Sequence, residues 1–400
     1  MRPIERTLAD AGLPPLGRTA WVEVDTDQLT ENARRLAAFV APLQLGAVVK
    51  ADGYGHGLEV AARCAVRGGA TWLCTATLEE AVRLRLDGYE GRVFVLYPIP
   101  ASQAAVARQR DIDVSIGSLA DLRRIEEVEG LAVHIEVDTG MTRGGCRPDA
   151  FDRLLAAVHG SAVRLVGVWT HLASPEDPAV TERQLDIFHE VTDPVPADVL
   201  RHTAASGGIL AADLAGQHLV RAGLVYYGYH PGTAEGLPEG VAPALEIKAH
   251  PVRVADVDEG TGVGYASTWV AARPSRIATV PMGYADGWAR VLSPGSSALA
   301  GGRRVPLVGR ISSDAITIDV TDVPGVDDDT EICLLGRQGG ESVTADEIAR
   351  LRGSISWEVL QQLGARLPRV YIAGGQAVGV RPEFARQVTY AASGALSYRV

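Results

Sequence analysis

Lys50 ends an apolar run, Leu45-Gly46-Ala47-Val48-Val49, and opens straight into Ala51-Asp52-Gly53-Tyr54-Gly55-His56-Gly57. A strand that delivers one lysine into a glycine-rich loop presents a buried amine, and a lysine of lowered pKa forms Schiff bases with carbonyl compounds. Other reactive residue types stand at comparable places. Glu136 and Asp138 follow an apolar run with Arg143 in the loop beyond, His171 follows Thr170, and Ser206 and Arg221 lie at or just after two further runs. Taken alone, a lysine at a strand end reads as a surface or ion-paired residue. In the company of carboxylates, a histidine and two arginines at matching positions, it marks a site.

The elements that must carry these residues are short apolar runs alternating with segments of helical period. The runs lie at 44–50, 71–75, 92–97, 113–117, 132–137, 165–171, 199–202 and 218–221. They are rich in Val, Ile and Leu, as strands buried on both faces are. Between them, residues 78–86 and 118–125 read as amphipathic helices, the second opening on Ser118 as its cap. Eight such units predict a closed (β/α)8 barrel of the TIM type. An open doubly wound sheet is the alternative, but no GxGxxG turn follows the first strand. Residues 20–24 predict an extra strand ahead of the barrel, within about 18–25, that would pack with the C-terminal domain, and a helix from about 26 to 39 follows. Beyond a Pro- and Gly-rich link at 229–243 the texture becomes alternating, at 245–248, 252–254, 316–320 and 331–335. The expected division is a barrel over 1–243 and a mostly β domain over 244–400.

Composition narrows the function. A chain of 400 residues, 46% hydrophobic and 22% charged, is long enough for two globular domains. Its net charge of -11 disfavours nucleic acid and anionic membrane as partners, since both need a positive field. A small-molecule substrate is the default. Residues 1–17 lack the apolar core of a signal peptide and no stretch is long enough to span a bilayer, so a cytoplasmic location is expected. Cys64, Cys74, Cys146 and Cys333 are scattered without CxxC spacing and read as core thiols, with no metal site. No repeat or low-complexity tract interrupts the chain.

Active sites of β/α barrels lie at the C-terminal ends of the strands, so one cavity would collect Lys50, Glu136, Asp138, Arg143, His171, Ser206 and Arg221. Pyridoxal phosphate is a common cofactor held by a lysine. Its pyridine nitrogen needs a charged partner and its phosphate needs amide and hydroxyl donors. Arg221, Ser206 and the neighbouring glycines supply that set. The stretches at 47–57, Val137-Asp138-Thr139-Gly140-Met141-Thr142-Arg143, Thr170-His171, Val263-Gly264-Tyr265, Gly283-Tyr284-Ala285-Asp286-Gly287 and Gly309-Arg310-Ile311 resemble the signatures of the pyridoxal-phosphate alanine racemases. They run in that family's order over nearly the whole length.

The resemblance implies an N-terminal barrel, a C-terminal β domain, and a head-to-tail homodimer whose sites are completed by the partner's C-terminal domain. It implies that Lys50 holds the cofactor and serves as base on one face of the substrate α-carbon, with Tyr265 of the partner subunit as base on the other. Inversion of a stereocentre requires two such bases, because the proton lost from one side is replaced from the other. Arg221 would face the pyridine nitrogen and, staying protonated, leave the ring a restrained electron sink. His171 would pack beside the ring. Tyr54, Ser206, Gly223 and Leu224 would grip the phosphate, Arg143 the substrate carboxylate, while Tyr284, Arg290, Arg310 and Glu176 match positions lining the access corridor.

Several positions depart from the family pattern. Glu136 stands where many members have a lysine that becomes carbamylated, and would orient Arg143 with its own carboxylate. Trp357 replaces a tyrosine that reaches the phosphate, and Ala205 an asparagine. Ser312-Ser313-Asp314 replaces Cys-Met-Asp, and the resemblance implies that a smaller, more polar Ser313 would face the substrate carboxylate and side chain, with Asp314 also on the substrate side. The implied activity is racemisation of alanine or a related small amino acid. Decarboxylation, or aldol-type chemistry on a β-hydroxy amino acid such as serine, is the alternative on the same cofactor. A non-catalytic cofactor carrier has no use for Tyr265.

Overall fold

The structure is a computed structural model that describes residues 2–234, 236–385, 387–391 and 398. The first strand, β1 (Ala20–Asp25), pairs antiparallel with Leu245–Ala249 and parallel with Arg369–Ala373, so it belongs to the C-terminal sheet. Contacts divide the chain accordingly: one unit is Gln28–Pro243 together with Tyr398, and the other joins the residues up to Asp27 with those from Ala244 to Ala391.

In the first unit, eight parallel strands follow in chain order: β2 (Gln44–Val48), β3 (Trp72–Thr75), β4 (Arg92–Val95), β5 (Ile112–Ile116), β6 (Ala132–Glu136), β7 (Arg164–Trp169), β8 (Leu200–His202) and β9 (Leu219–Ala222). Each pairs with its predecessor from β3 to β8, and β9 pairs with β2. The remaining seam, β8 to β9, closes through a bridge between Ala205 and Arg221 and through the Arg221 N–H, which donates to the Ala204 carbonyl at 2.9 Å. Every residue of β3, β5, β6 and β9 is buried, which is why these strands read as mostly apolar runs without polar alternation, and why the Asp113, Ser115, His134, Glu136 and Arg221 they carry are buried too. Three strands stop two residues short of the expected ends, β2 at Val48, β4 at Val95 and β7 at Trp169, and β5 and β6 stop one short. Lys50 and His171 therefore sit just beyond their strands. The reason at Lys50 is local, because Val49 already has φ -111° and ψ 11°, outside the strand region.

The helix Leu78–Leu86 shows how sequence builds a crossover. Thr77 caps it by accepting from Glu80 N at 3.3 Å, and the Glu80 carboxylate returns to the Thr77 N–H, also at 3.3 Å. Leu78, Ala81 and Leu84 are the buried face, packed on β3 and β4. Burying a leucine fully contributes about 1.5–3 kcal/mol, whereas Thr77→Ala removes about 1 kcal/mol of cap.

The second unit is dominated by a mixed sheet in which Leu245–Ala249 lies between β1 and Ile332–Gln338. Trp21 of β1 is fully buried in a cluster with Val370, Val380 and, from the N-terminal helix Pro3–Asp10, Ile4 and Leu8. Among the described residues no helix is long and apolar enough to cross a membrane, and no group of His, Cys, Asp and Glu could hold a metal ion.

Candidate active site

Immediately after Lys50 the backbone reverses hand. Ala51, Asp52, Gly53 and Tyr54 all have φ between 51° and 60°, a left-handed turn that costs a non-glycine residue of order 1 kcal/mol or more. Several bonds hold it. Ala51 N–H donates to Glu80 Oε1 at 2.7 Å, Gly53 N–H to the Val49 carbonyl at 2.9 Å, and Leu58 N–H to Asp52 Oδ1 at 3.2 Å. Buried His56 adds a contact from Nδ1 to the Gly53 carbonyl at 3.0 Å. Glycine is required at 53, where a Cβ would lie 2.9 Å from that of Ala61. Lys50 itself titrates below the ordinary lysine range, first because it is buried and second because of the positive charge of Arg143.

Arg221 is buried in β9 with its guanidinium 4.8 Å from the Trp169 ring centre. Nη1 donates to Nδ1 and the carbonyl of His202 at 2.7 and 2.9 Å, and Nη2 to the carbonyls of Thr170 and Thr203 at 2.8 and 3.1 Å. Nε has no acceptor among the described residues. Burial brings the Arg221 pKa down to about 10, which leaves it charged at neutral pH.

A set of uncharged donors converges beside it. Ser206, first residue of the helix Ser206–Ala211, accepts at Oγ from the N–H groups of Gly223 and Val225 at 3.1 and 3.3 Å. The Leu224 N–H and the Tyr54 hydroxyl have no partner among the described residues. Tyr54 is buried, stacked on Tyr227 with ring centres 4.9 Å apart. A Cβ on Gly223 would lie 3.1 Å from Tyr54 Oη and 3.4 Å from Ser206 Oγ, so the bare glycine leaves a cradle open between the two hydroxyls. This donor set suits a phosphate monoester. The free Nε–H of Arg221 suits a ring nitrogen.

Lys50, Arg143 and Arg221 all act on His171. Burial, then Arg221, Arg143 and Lys50, push its pKa down to about 3, so it is a neutral imidazole. Glu136 moves the other way, up to about 7, because burial outweighs the pull of Arg143 and Arg221. No hydrogen bond joins Glu136 to Arg143 among the described residues. The Glu136 carboxylate faces the loop beyond, where a Cβ on Gly144 would lie 2.8 Å from Oε2. Asp138 shapes that loop, accepting at Oδ1 from Gly140 and Thr142 N–H at 3.1 and 2.8 Å, and leaves Arg143 exposed.

The second unit carries the remaining residues. Tyr265 is 69% exposed, follows Gly264 at φ 72°, and its hydroxyl has no partner among the described residues. A Cβ on Gly264 would lie 3.2 Å from Arg310 N. Tyr284, also exposed, donates its N–H to the Ser312 carbonyl at 3.1 Å, and Ala285 N–H to the Ser313 carbonyl at 3.1 Å. The segment 309–314 thus touches both tyrosine loops. Asp314 pairs with Arg366 at 2.7 Å, while fully buried Asp286 pairs with Arg18 at 2.6 Å and pins the Tyr284 turn. Arg290 and Arg310 are exposed, and Trp357 is half-buried on the helix Ser356–Gln361.

Residues 24–231 match the model of the alanine racemase N-terminal domain, and residues 244–371 that of the C-terminal domain. The chain belongs to the alanine racemase family. It is 37% identical to the alanine racemase of Syntrophobacter fumaroxidans over 359 residues, 86% of this chain and 95% of that one. The alanine racemase of Symbiobacterium thermophilum is 36% identical over 90% of this chain and 98% of its own. Among solved structures, the alanine racemase of Bacillus anthracis with bound L-Ala-P superposes with a TM-score of 0.86 at 32% identity, covering 92% of this chain and 99% of that one. That of Bartonella henselae, with covalently bound pyridoxal phosphate, gives 0.80 at 28% identity over 88% and 99%. Alanine racemases are pyridoxal-phosphate-dependent isomerases, and this chain has their barrel followed by a mostly β domain.

Sequence reasoning missed Glu80 and His202. Glu80 had a signal, the capping spacing from Thr77, but its second bond to the Lys50 turn is visible only in space. His202 ended an apolar run and gave no signal.

Proposed function

We propose that this protein interconverts L- and D-alanine, or a related small amino acid, using pyridoxal phosphate held on Lys50, in a head-to-tail homodimer. The observation that carries the reading is the barrel mouth itself: a lysine of lowered pKa, a guanidinium with Nε–H free, and a cradle of hydroxyl and N–H donors around Gly223.

Pyridoxal phosphate, when bound, supplies the electron withdrawal that makes the α-hydrogen of an amino acid acidic. Tyr54, Ser206, Gly223 and Leu224 hold its phosphate, and Arg221 offers Nε–H to its ring nitrogen without giving up the proton. Lys50, once its amine is free, takes or returns the α-proton on one face, its lowered pKa favouring the neutral amine. Tyr265 of the partner subunit does so on the opposite face, and its exposure supports this role, since no group of its own unit covers it. Arg143 binds the substrate carboxylate, with Glu136 beside it to orient the guanidinium. Neutral His171 lines the pocket, and Trp357, Ser313, Asp314 and Tyr284 of the partner subunit bound the access side.

The test is L-alanine in deuterium oxide with pyridoxal phosphate present. D-alanine deuterated at the α-carbon is the expected product, absent in Lys50→Ala together with the visible absorbance of the bound cofactor. Ethylamine would indicate decarboxylation instead, and no reaction with any small amino acid would end the proposal.

A further inference from the structure

Arg221 is the near end of an unbroken chain of hydrogen bonds through the barrel interior. His202 Nδ1 takes its Nη1–H at 2.7 Å, His202 Nε2 meets His134 Nδ1 at 2.9 Å, and His134 Nε2 meets Asp113 Oδ2 at 3.1 Å. All four residues are at most 1% exposed. Arg92 closes the far end, its Nη2 2.6 Å from the same Asp113 oxygen and its guanidinium over the Trp72 ring. The chain steps through β9, β8, β6, β5 and β4. It starts near the C-terminal strand ends, at His202, and finishes at the N-terminal ends, where Arg92 is the first residue of β4 and Asp113 the second of β5.

The protons in this chain have one arrangement. A guanidinium only donates, so Nδ1 of His202 accepts. A neutral imidazole has a single N–H, so His202 Nε2–H donates to His134 Nδ1. His134 Nε2–H then donates to the Asp113 carboxylate. Burial and Arg221 hold His202 well below the ordinary histidine range, and burial lowers His134 too. Protonating His202 would set a second N–H against Arg221. The backbone makes room for the relay: a Cβ on Gly167 would overlap the His134 ring, and the β6–β7 register shifts between Val133 and His134.

We propose that Asp113, His134 and His202 form a polarised hydrogen-bond relay that fixes the Arg221 guanidinium. Asp113, anchored by Arg92 at the opposite end of the barrel, is then a positioning residue for the group that faces the cofactor ring. With Nη1 and Nη2 both committed, the guanidinium keeps one orientation, and Nε–H is the donor left over. This inference rests on the proposed cofactor role of Arg221, but the polarity of the relay is a property of the protein alone.

Asp113→Asn is the test, since it removes the carboxylate at constant volume. An amide either donates to His134 Nε2, reversing both tautomers and turning His202 Nδ1–H on Arg221, or presents its oxygen to both His134 and Arg92, which keeps the tautomers but removes the negative charge that polarises them. Leu154→Ala, buried in the helix Phe151–His159, is the comparison for simple loss of stability. Nitrogen-15 shifts of the histidine rings in wild-type protein are expected to show both imidazoles neutral and protonated at Nε2. In Asp113→Asn the His202 signal changes, the absorbance of bound pyridoxal phosphate shifts, and kcat for alanine falls roughly tenfold with KM within about twofold, a loss of the size seen when the outer partner of a metal-bound histidine is removed. Leu154→Ala lowers the melting temperature without these changes. A wild-type His202 protonated at Nδ1, or an Asp113→Asn variant indistinguishable from Leu154→Ala in absorbance and kcat, would overturn the relay. Failure of the wild type to take up pyridoxal phosphate would overturn the proposed function instead, while the ring-nitrogen shifts, read without cofactor, decide the relay.

Discussion

The backbone N–H of Ala51 donates to the carboxylate of Glu80 at 2.7 Å, one residue beyond Lys50. The same carboxylate accepts from the N–H groups of Ala76 and Thr77 at 3.0 and 3.3 Å. One side chain therefore caps a helix and holds the left-handed turn that aims the lysine. Glu80→Ala releases three N–H groups and is expected to lower unfolding free energy by about 2–4 kcal/mol. Glu80→Gln, which keeps one acceptor oxygen, should lose about half as much. Chemical unfolding measures this, and no change in either variant would show that the turn stands without Glu80.

Arg143→Gln should move the titration of Lys50 upward. Burial and Arg143 both disfavour the charged amine. Removing the second lets Lys50 hold its proton to higher pH, so less neutral amine is present at a given pH. Capture of pyridoxal phosphate, followed by absorbance against pH, should reach half its maximal rate at a higher pH than in wild type. A shift to lower pH would contradict the assignment of Arg143 to this mouth.

Glu136, with its pKa raised from 4.5 to about 7, makes a prediction whose sign is fixed. Between these values the folded protein binds more protons than the unfolded chain. The stability this gives is fully present below pH 4.5 and lost as pH rises through 7. Glu136→Gln, permanently neutral, should be more stable than wild type at pH 8 by up to about 3 kcal/mol. If its carboxylate orients Arg143, the wild-type KM for alanine also falls as pH rises through 7, and the variant loses that dependence. Unchanged affinity and turnover in Glu136→Gln would remove Glu136 from the binding of substrate.

Gly223→Ala fills the cradle. A methyl 3.1 Å from Tyr54 Oη and 3.4 Å from Ser206 Oγ occupies space between the two hydroxyls. The dissociation constant for pyridoxal phosphate should rise at least roughly tenfold, about 1.4 kcal/mol, while cofactor-free protein melts near the wild-type temperature. Full affinity would place the phosphate elsewhere.

Mixing two inactive variants tests the head-to-tail arrangement. If a site takes Lys50 from one subunit and Tyr265 from the other, a dimer of Lys50→Ala with Tyr265→Phe contains one intact site. Unfolding and refolding an equal mixture should restore about a quarter of wild-type activity, because half the dimers are mixed and each has one working site of two. No recovery would mean that both bases come from one chain.

The barrel was legible because its strands are buried on both faces, and Lys50, Arg221 and Ser206 stood out as polar residues at the ends of those runs. The turn at Lys50 was not. Its handedness depends on Glu80, which is brought to Ala51 N–H only when the next helix packs. Asp113 and His134 were hidden for a different reason: each lies within an apolar strand, and a polar residue there reads as core unless its neighbours across three other strands are known. Pattern along the chain reports burial, whereas a relay is a pattern across it.

The segment 309–314 holds the loops of Tyr265 and Tyr284 largely through main-chain atoms: the carbonyls of Ser312 and Ser313 accept from Tyr284 and Ala285, and Gly264 packs against Arg310 N. Contacts of that kind are indifferent to which side chains the segment carries. Ser313 can therefore mutate while the two tyrosines keep their places, so that if it borders the substrate as proposed, single substitutions there would alter the preference among amino acids without disturbing the residues that move the proton.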